Sequence, residues 1–170
     1  KIFADYVSGR CGFIPLVETK ASAEAIDAIV SIEGVTEVYI GLNDLHMDLR
    51  CKFMFQPLAE GLVDQLVGTI QRSGLKYGFG GIARVGEGIV PGEMVLGEHV
   101  RLGSSSVILS RGFHRNSDSL SELVATTDLA AELQRLEMHR LRLVQRDAKQ
   151  VESDRLAFCR AVSDFTATLL

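Results

Sequence analysis

Two acidic residues follow apolar segments of the sequence, and their side chains are the best candidates in this chain for binding a metal or for catalysis. Glu18 follows the segment 12–17, and Asp44 comes shortly after the segment 35–40. If the two segments are neighbouring strands, their axes lie about 4.8 Å apart, and carboxylates so placed repel unless a proton or a cation lies between them. A hard divalent cation, Mg²⁺ or Mn²⁺, takes one or two carboxylates and keeps positions for substrate oxygens. The pattern predicts a metal site at Glu18 and Asp44.

A purely structural role is the alternative for this pair. Glu18 would then cap the helix that follows it, and Asp44 would close an Asx turn. His46, two residues after Asp44, is a candidate catalytic acid or base, because its charge changes near neutral pH. The alternative for His46 is a polar surface position in a loop.

Two more candidates follow later apolar segments. Arg84 comes after the segment 77–82 and could face an anionic substrate, or it could simply be solvated. Ser104 belongs to the stretch 103–106 after the segment 100–102, a place where many barrels bind phosphate. Ser104 is therefore a candidate ligand for a phosphate or a coenzyme A tail, with a plain turn as the alternative.

These side chains can meet only if strands and helices alternate along the chain. The apolar runs predict four strands, at 12–17, 35–40, 77–82 and 100–102. Helical patterns fall between them, from about Ser22 to Gly34, from Pro57 to Gly74, and at about 92–97, with a loop over 45–56. This order predicts a parallel sheet, doubly wound or closed into a barrel, whose strands all end on one face. The candidates would gather there.

The last third of the chain has a different character. Apolar residues recur among Arg, Glu and Gln from about residue 116 onwards, which predicts two long amphipathic helices. The apolar positions are Leu129, Leu133, Leu136 and Val144 in the first helix, and Val151, Phe158, Val162, Phe165 and Leu169 in the second. These helices either pack on the sheet or join subunits, and the length of the tail favours a homo-oligomer.

Composition excludes several classes of function. The 170 residues carry a net charge of −4 with no basic run, so a nucleic-acid partner is not expected. No apolar run is long enough for a membrane span, and the N-terminus lacks the apolar core of a signal peptide. The cysteines Cys11, Cys51 and Cys159 are odd in number and widely separated, which favours reduced thiols and a cytoplasmic protein.

The stretch PLVETKASAEAIDAIVSIEGVTEVYIGLNDL, from Pro15 to Leu45, closely resembles the HpcH/HpaI aldolase and citrate lyase beta-type family. That family has Glu-Thr after one barrel strand, then a helix with Asp-x-Ile. A Gly-Val turn follows, and an apolar strand closes in Gly-Pro-x-Asp-Leu. A weaker likeness continues to about Arg115.

The resemblance implies a TIM (β/α)₈ barrel of the phosphoenolpyruvate/pyruvate type. Residues 1–115 would be its strands five to eight, and residues 116–170 a helical extension for oligomer contacts. Glu18 and Asp44 match the family's metal ligands, and the backbone around Asn43 would help to hold the substrate carboxylate. The implied activity is a Mg²⁺- or Mn²⁺-dependent carbon–carbon lyase, or aldolase, that forms or cleaves a 2-oxo acid through an enolate. The citrate lyase and malyl-CoA branch acts instead on an acyl-CoA.

Departures from the family pattern leave a second interpretation open. Leu42 replaces the Pro of Gly-Pro-x-Asp-Leu, His46 replaces a small polar residue, and Leu16 occupies a position that is often polar in the aldolase branch. Ser105 or Ser106 stands where the family often has Asp. The family's substrate-binding Arg and its general base lie on earlier strands, and a complete barrel needs about 250 residues. The alternative is a non-catalytic barrel fragment that binds a metal or an anion, or that serves in oligomerisation.

Overall fold

A computed structural model describes residues 1–7, 9–114 and 117–169. The strands are β1 Leu16–Val17, β2 Glu37–Ile40, β3 Lys76–Ile82 and β4 Ser106–Leu109. The helices are α1 Ile2–Val7, α2 Lys20–Glu24, α3 Ile26–Val30, α4 Leu42–Asp48, α5 Gln56–Ala59, α6 Leu62–Arg72, α7 Gly92–Leu102, α8 Leu120–Thr126, α9 Leu129–Val144 and α10 Ala148–Thr168. A 3₁₀ turn covers Arg111–His114. The predicted domain boundary between residues 115 and 116 lies outside the described residues.

The four strands form one parallel sheet in the order β1-β2-β3-β4, which confirms the predicted mixed α/β class. Val17 pairs with Ile40, and Ile40 pairs with Phe79. The register between β3 and β4 shifts by one residue between Gly78 and Gly81. Because all four strands run the same way, their carboxyl ends meet at one edge of the sheet.

Apolar side chains on one face of the sheet form the core. Val17, Val38, Ile40 and Phe79 are fully buried, and they belong to one cluster with the buried faces of α3, α6 and α7. Burial of this kind is the main force that holds helices against a sheet. Leu16 and Ile108 lie on the opposite face, where they are 54% and 56% exposed.

The segment after β2 is a helix, so the predicted loop over 45–56 is wrong in its first part. α4 begins directly after Gly41 and runs to Asp48. Leu42 and Leu45 are fully buried three positions apart, which is the spacing of one helical face. The long helix predicted after Pro57 is divided into α5 and α6 by Gly61, whose φ of 88° lies in the left-handed region.

The fourth predicted strand is also wrong, because residues 100–102 are the end of α7. Val95, His99 and Leu102 recur at helical spacing and are buried. Gly103 ends the helix with a φ of 75°, and β4 starts only at Ser106. The stretch around Ser104 therefore precedes a strand and does not follow one.

The C-terminal tail contains the two long amphipathic helices that the sequence predicts, α9 and α10, preceded by the short α8. Two arginines, one in the connection between the long helices and one in α10, contact α7. Arg146 donates to the Gly97 carbonyl oxygen at 3.0 Å, and Arg155 donates to the Glu98 carboxylate at 2.7 Å. Arg101 donates to the same carboxylate at 2.8 Å, so one nearly buried acid anchors two cations. None of the described helices is both long and apolar enough to cross a lipid bilayer.

One buried histidine makes the stability of this core depend on pH. The His99 ring stacks on the Phe79 ring with centroids 3.9 Å apart, and neither ring nitrogen has a hydrogen-bond partner within the residues that the structure describes. Burial lowers the pKa of His99 from 6.5 to about 3. Between these two pH values, the His99 side chain is protonated in the unfolded chain and neutral in the folded chain. The free energy of unfolding therefore falls as the pH drops below about 6.5.

We predict that His99→Leu removes up to about 1.4 kcal/mol per pH unit from the slope of unfolding free energy between pH 6 and 4. Urea unfolding at several pH values measures that slope. The control is His139→Leu, which replaces a half-buried histidine of α9 and should keep the wild-type slope. Equal slopes for His99→Leu and the wild type would contradict the prediction.

Candidate metal and substrate site

A cleft of about 380 Å³ opens at the carboxyl edge of the sheet and unites three of the predicted site residues. Glu18 enters it from the end of β1, and Asn43 and Asp44 enter it from the first turn of α4. Its other lining residues are Leu16, Tyr39, Gly41, Leu42, Met54, Gly80, Gly81, Ile108, Leu109, Ser110 and Arg111. The parallel topology therefore brings together the two acidic residues that are distant in sequence.

The Glu18 carboxylate is free for a ligand because neighbouring residues form the hydrogen bonds at the start of α2. Thr19 is the N-cap of α2, and its hydroxyl accepts from the Ser22 backbone N–H at 3.1 Å. The Glu18 backbone N–H donates to the Ser22 hydroxyl at 3.2 Å. The Glu18 carboxylate itself has no hydrogen-bond or ion-pair partner among the described residues, so the alternative in which it caps the helix is wrong.

Gly41 provides the space that the Glu18 side chain occupies. A Cβ atom built on Gly41 would lie 2.8 Å from the carboxyl carbon of Glu18, closer than real contacts allow. The Gly41 N–H donates to the Val17 carbonyl oxygen at 3.0 Å, which continues the β1–β2 pairing to the rim of the cleft. The Glu18 carboxylate therefore packs directly against the backbone that leads into α4.

Asp44 is exposed on α4, and its carboxylate also lacks a partner among the residues described. Because Asp44 lies inside a helix, the predicted alternative of an Asx turn is wrong. The last residue of the same helix, Asp48, accepts from the Lys20 backbone N–H at 2.7 Å. This bond joins the end of α4 to the start of α2, so the segments that carry the two acids are tied together.

Three other predicted site residues, His46, Ser104 and Arg84, lie outside the cleft. His46 is half-buried on α4, with Nδ1 3.3 Å from the Leu42 carbonyl oxygen. Ser104 is at the amino edge of the sheet, where its hydroxyl donates to the Ser106 carbonyl oxygen at 2.9 Å. The premise that Ser104 follows a strand end is corrected, since β4 starts after it.

Arg84 is neither solvated nor part of the cleft lining. It is 2% exposed, and its Nη2 donates to the Phe113 carbonyl oxygen at 2.5 Å and to the Thr127 hydroxyl at 3.1 Å. The Arg84 Nε has no hydrogen-bond partner among the residues described. Arg84 therefore holds the 3₁₀ turn after β4 against the start of the C-terminal helices, and the structure offers it no route to a substrate in the cleft.

Two lining residues were missed from the sequence. Tyr39 points from β2 into the open face of the sheet, where its hydroxyl donates to the Gly80 carbonyl oxygen at 2.5 Å and accepts from the Ile108 N–H at 2.8 Å. Burial raises the pKa of Tyr39 to about 12, so the phenol stays protonated. Arg111 lies just past β4, and it was missed because that strand was predicted too early.

The donor set of the cleft fits a hard divalent cation. Glu18 and Asp44 supply carboxylate oxygens that have no competing partner in the described part of the chain, and such oxygens are the ligands that Mg²⁺ and Mn²⁺ prefer. Within residues 1–7, 9–114 and 117–169, no group of three or more His, Cys, Asp or Glu side chains could hold a metal. A cation at the cleft would therefore have two protein side chains and open positions for other oxygen ligands.

No known family model matches the chain, and no curated protein does either. The chemistry of the cleft and the motif resemblance between Pro15 and Leu45 are therefore the features that point to a function.

We predict that Gly41→Ala leaves the fold intact but displaces the Glu18 carboxylate. The new methyl group collides with a flexible side chain and not with backbone, so the free energy of unfolding should change by less than about 1 kcal/mol. Mn²⁺ titration should show about tenfold weaker binding. Gly68→Ala is the matched control, because its Cβ would meet only the Arg72 side chain at an ordinary 3.6 Å. Unchanged Mn²⁺ affinity in Gly41→Ala would contradict the prediction.

Proposed function

We propose that the chain carries the metal-binding half of a Mg²⁺- or Mn²⁺-dependent carbon–carbon lyase that forms or cleaves a 2-oxo acid through an enolate. One observation carries this proposal: Glu18 and Asp44, two carboxylates without partners among the described residues, line one cleft at the carboxyl edge of a parallel sheet. Active sites of parallel α/β proteins lie at this edge. The motif resemblance to the HpcH/HpaI aldolase and citrate lyase beta-type family supplies the reaction class.

The sheet supports the further proposal that β1 to β4 are strands five to eight of a (β/α)₈ barrel. The strands are parallel and follow one another in sequence order, as they do in such barrels. Core-forming helices cover one face, while Leu16 and Ile108 on the other face are more than half exposed. A barrel interior is normally packed with side chains, so four further strands would cover this face.

In this proposal, the residues of the cleft bind and orient, and the cation supplies the Lewis acid. Glu18 and Asp44 hold the ion, which when bound polarises a keto oxygen and stabilises the negative charge that develops on it. The backbone around Asn43 orients the substrate carboxylate beside the metal ligands. Leu16 and Tyr39 line the cleft next to the acids, and the Tyr39 hydroxyl is held by the Gly80 carbonyl oxygen.

The proton transfer of an aldolase has no obvious agent in this cleft. The described lining residues include neither His nor Lys, and His46 does not line the cleft, so we assign no proton step to it. This observation agrees with the second candidate function, a barrel fragment that binds a metal or an anion, or that serves in oligomerisation, without catalysis; it agrees equally with a half-barrel whose general base lies on earlier strands. An acyl-CoA lyase of the citrate or malyl-CoA type shares the same metal ligands and remains the other candidate within the family.

Solvent deuterium exchange into the methyl group of pyruvate tests the enolate chemistry without knowledge of the aldehyde partner. Since the described lining of the cleft offers no base, solvent takes up the methyl proton, and we predict slow exchange that requires Mn²⁺. The rate should fall more than about 100-fold in Glu18→Gln and in Asp44→Asn, because each variant loses a charged ligand. Proton NMR follows the loss of the methyl signal. Glu33→Gln removes the same charge from an exposed position and should retain wild-type exchange.

The pattern of results separates the candidates. Retained exchange in both acidic variants would overturn the metal-site assignment. Mn²⁺ binding that depends on Glu18 and Asp44, without exchange into pyruvate, would favour the non-catalytic candidate. Exchange into the methyl group of acetyl-CoA in place of pyruvate would identify the acyl-CoA branch.

A further inference from the structure

We infer that Arg111 binds the carboxylate of an anionic substrate in this cleft, together with the backbone around Asn43. The inference rests on the proposed function for the position of the metal ion, and it adds the residue that selects the substrate. Neither the quoted motif nor the predicted strand ends contain Arg111.

Arg111 brings the only cationic side chain among the described lining residues of the cleft. Its guanidinium group has no ion-pair or hydrogen-bond partner in the part of the chain that the structure describes. Three other arginines already have protein partners. Arg84 donates to a carbonyl oxygen, and Arg101 and Arg155 both donate to the Glu98 carboxylate. The lining of one cleft thus includes a guanidinium group and two carboxylates, none of which has a partner among the described residues.

The backbone that carries Arg111 is fixed on both sides. The Ser110 N–H donates to the Ile82 carbonyl oxygen at 2.9 Å, which extends the pairing of β4 with β3. The Phe113 N–H donates to the Ser110 carbonyl oxygen at 3.0 Å, and the Phe113 carbonyl accepts from the buried Arg84. The 3₁₀ turn therefore holds the Cα of Arg111 at the rim of the cleft while the side chain stays free.

Charge determines which substrate fits. A divalent cation and one guanidinium group exceed the two carboxylates of Glu18 and Asp44 by one positive charge, so the loaded cleft attracts a small anion. A guanidinium group binds a carboxylate through two parallel hydrogen bonds, which a thioester lacking a free carboxylate cannot form. Arg111 therefore favours a free 2-oxo acid over an acyl-CoA thioester at this site.

Binding of oxalate to the Mn²⁺-loaded full chain tests the inference without an activity measurement. Oxalate has the two adjacent oxygens that chelate the ion and a carboxylate for Arg111. Titration calorimetry should show about tenfold weaker oxalate binding in Arg111→Gln, and a smaller loss in Arg111→Lys, which keeps the charge but not the planar fork. Arg160→Gln removes an exposed arginine of α10 and should bind oxalate like the wild type.

Mn²⁺ affinity, measured separately without oxalate, distinguishes a failure of the role of Arg111 from a failure of the proposed metal site. It should be the same in Arg111→Gln and the wild type, because Arg111 is not a metal ligand. Wild-type oxalate affinity in Arg111→Gln, with Mn²⁺ binding still dependent on Glu18, would overturn the role of Arg111 and leave the proposed function standing. A wild-type chain that binds no Mn²⁺ would overturn both.

Discussion

The pairing of Val17 with Ile40 is the constraint on which the cleft depends. Because β1 and β2 are parallel neighbours in this register, the chain leaves the sheet at Glu18 and at Gly41 side by side. The absence of a side chain at Gly41 leaves the volume that the Glu18 carboxylate fills. α4 begins immediately afterwards, and its first turn carries Asp44 to the same place. The acidic pair thus follows from strand register, from one missing methyl group and from the start of a helix.

Much of the fold could be predicted because it follows local patterns. The apolar runs that contain β2 and β3 are bounded by turn residues, and the stripe of α6 repeats every four residues, so each identifies its own structure. The fourth strand could not be predicted in this way, because two short apolar runs flank Gly103. The contact of His99 with Phe79 decides between them, since it makes the first run part of a buried helix face. That contact is tertiary and leaves no local signal.

The candidate site shows the same division. Glu18, Asn43 and Asp44 could be placed together because residues that follow parallel strands share an edge. Arg84 also follows a strand, but its side chain turns into the protein toward Phe113, and the residue order contains no sign of that direction. Arg111 could be recognised only after the true position of β4 was known. Spacing predicts which residues reach an edge, and packing decides which of them face the ligand.

Tyr39 has a further consequence for the shape of the sheet. Its hydroxyl joins the Gly80 carbonyl to the Ile108 N–H at the point where the β3–β4 register shifts. The Tyr39 side chain of β2 thus replaces a backbone hydrogen bond between two other strands. It can do so because its hydroxyl oxygen both donates and accepts a hydrogen bond. The irregular register of β3 and β4 beside the cleft therefore leaves neither of these two backbone groups unsatisfied. Phenylalanine in place of Tyr39 would keep the ring but would remove both hydrogen bonds.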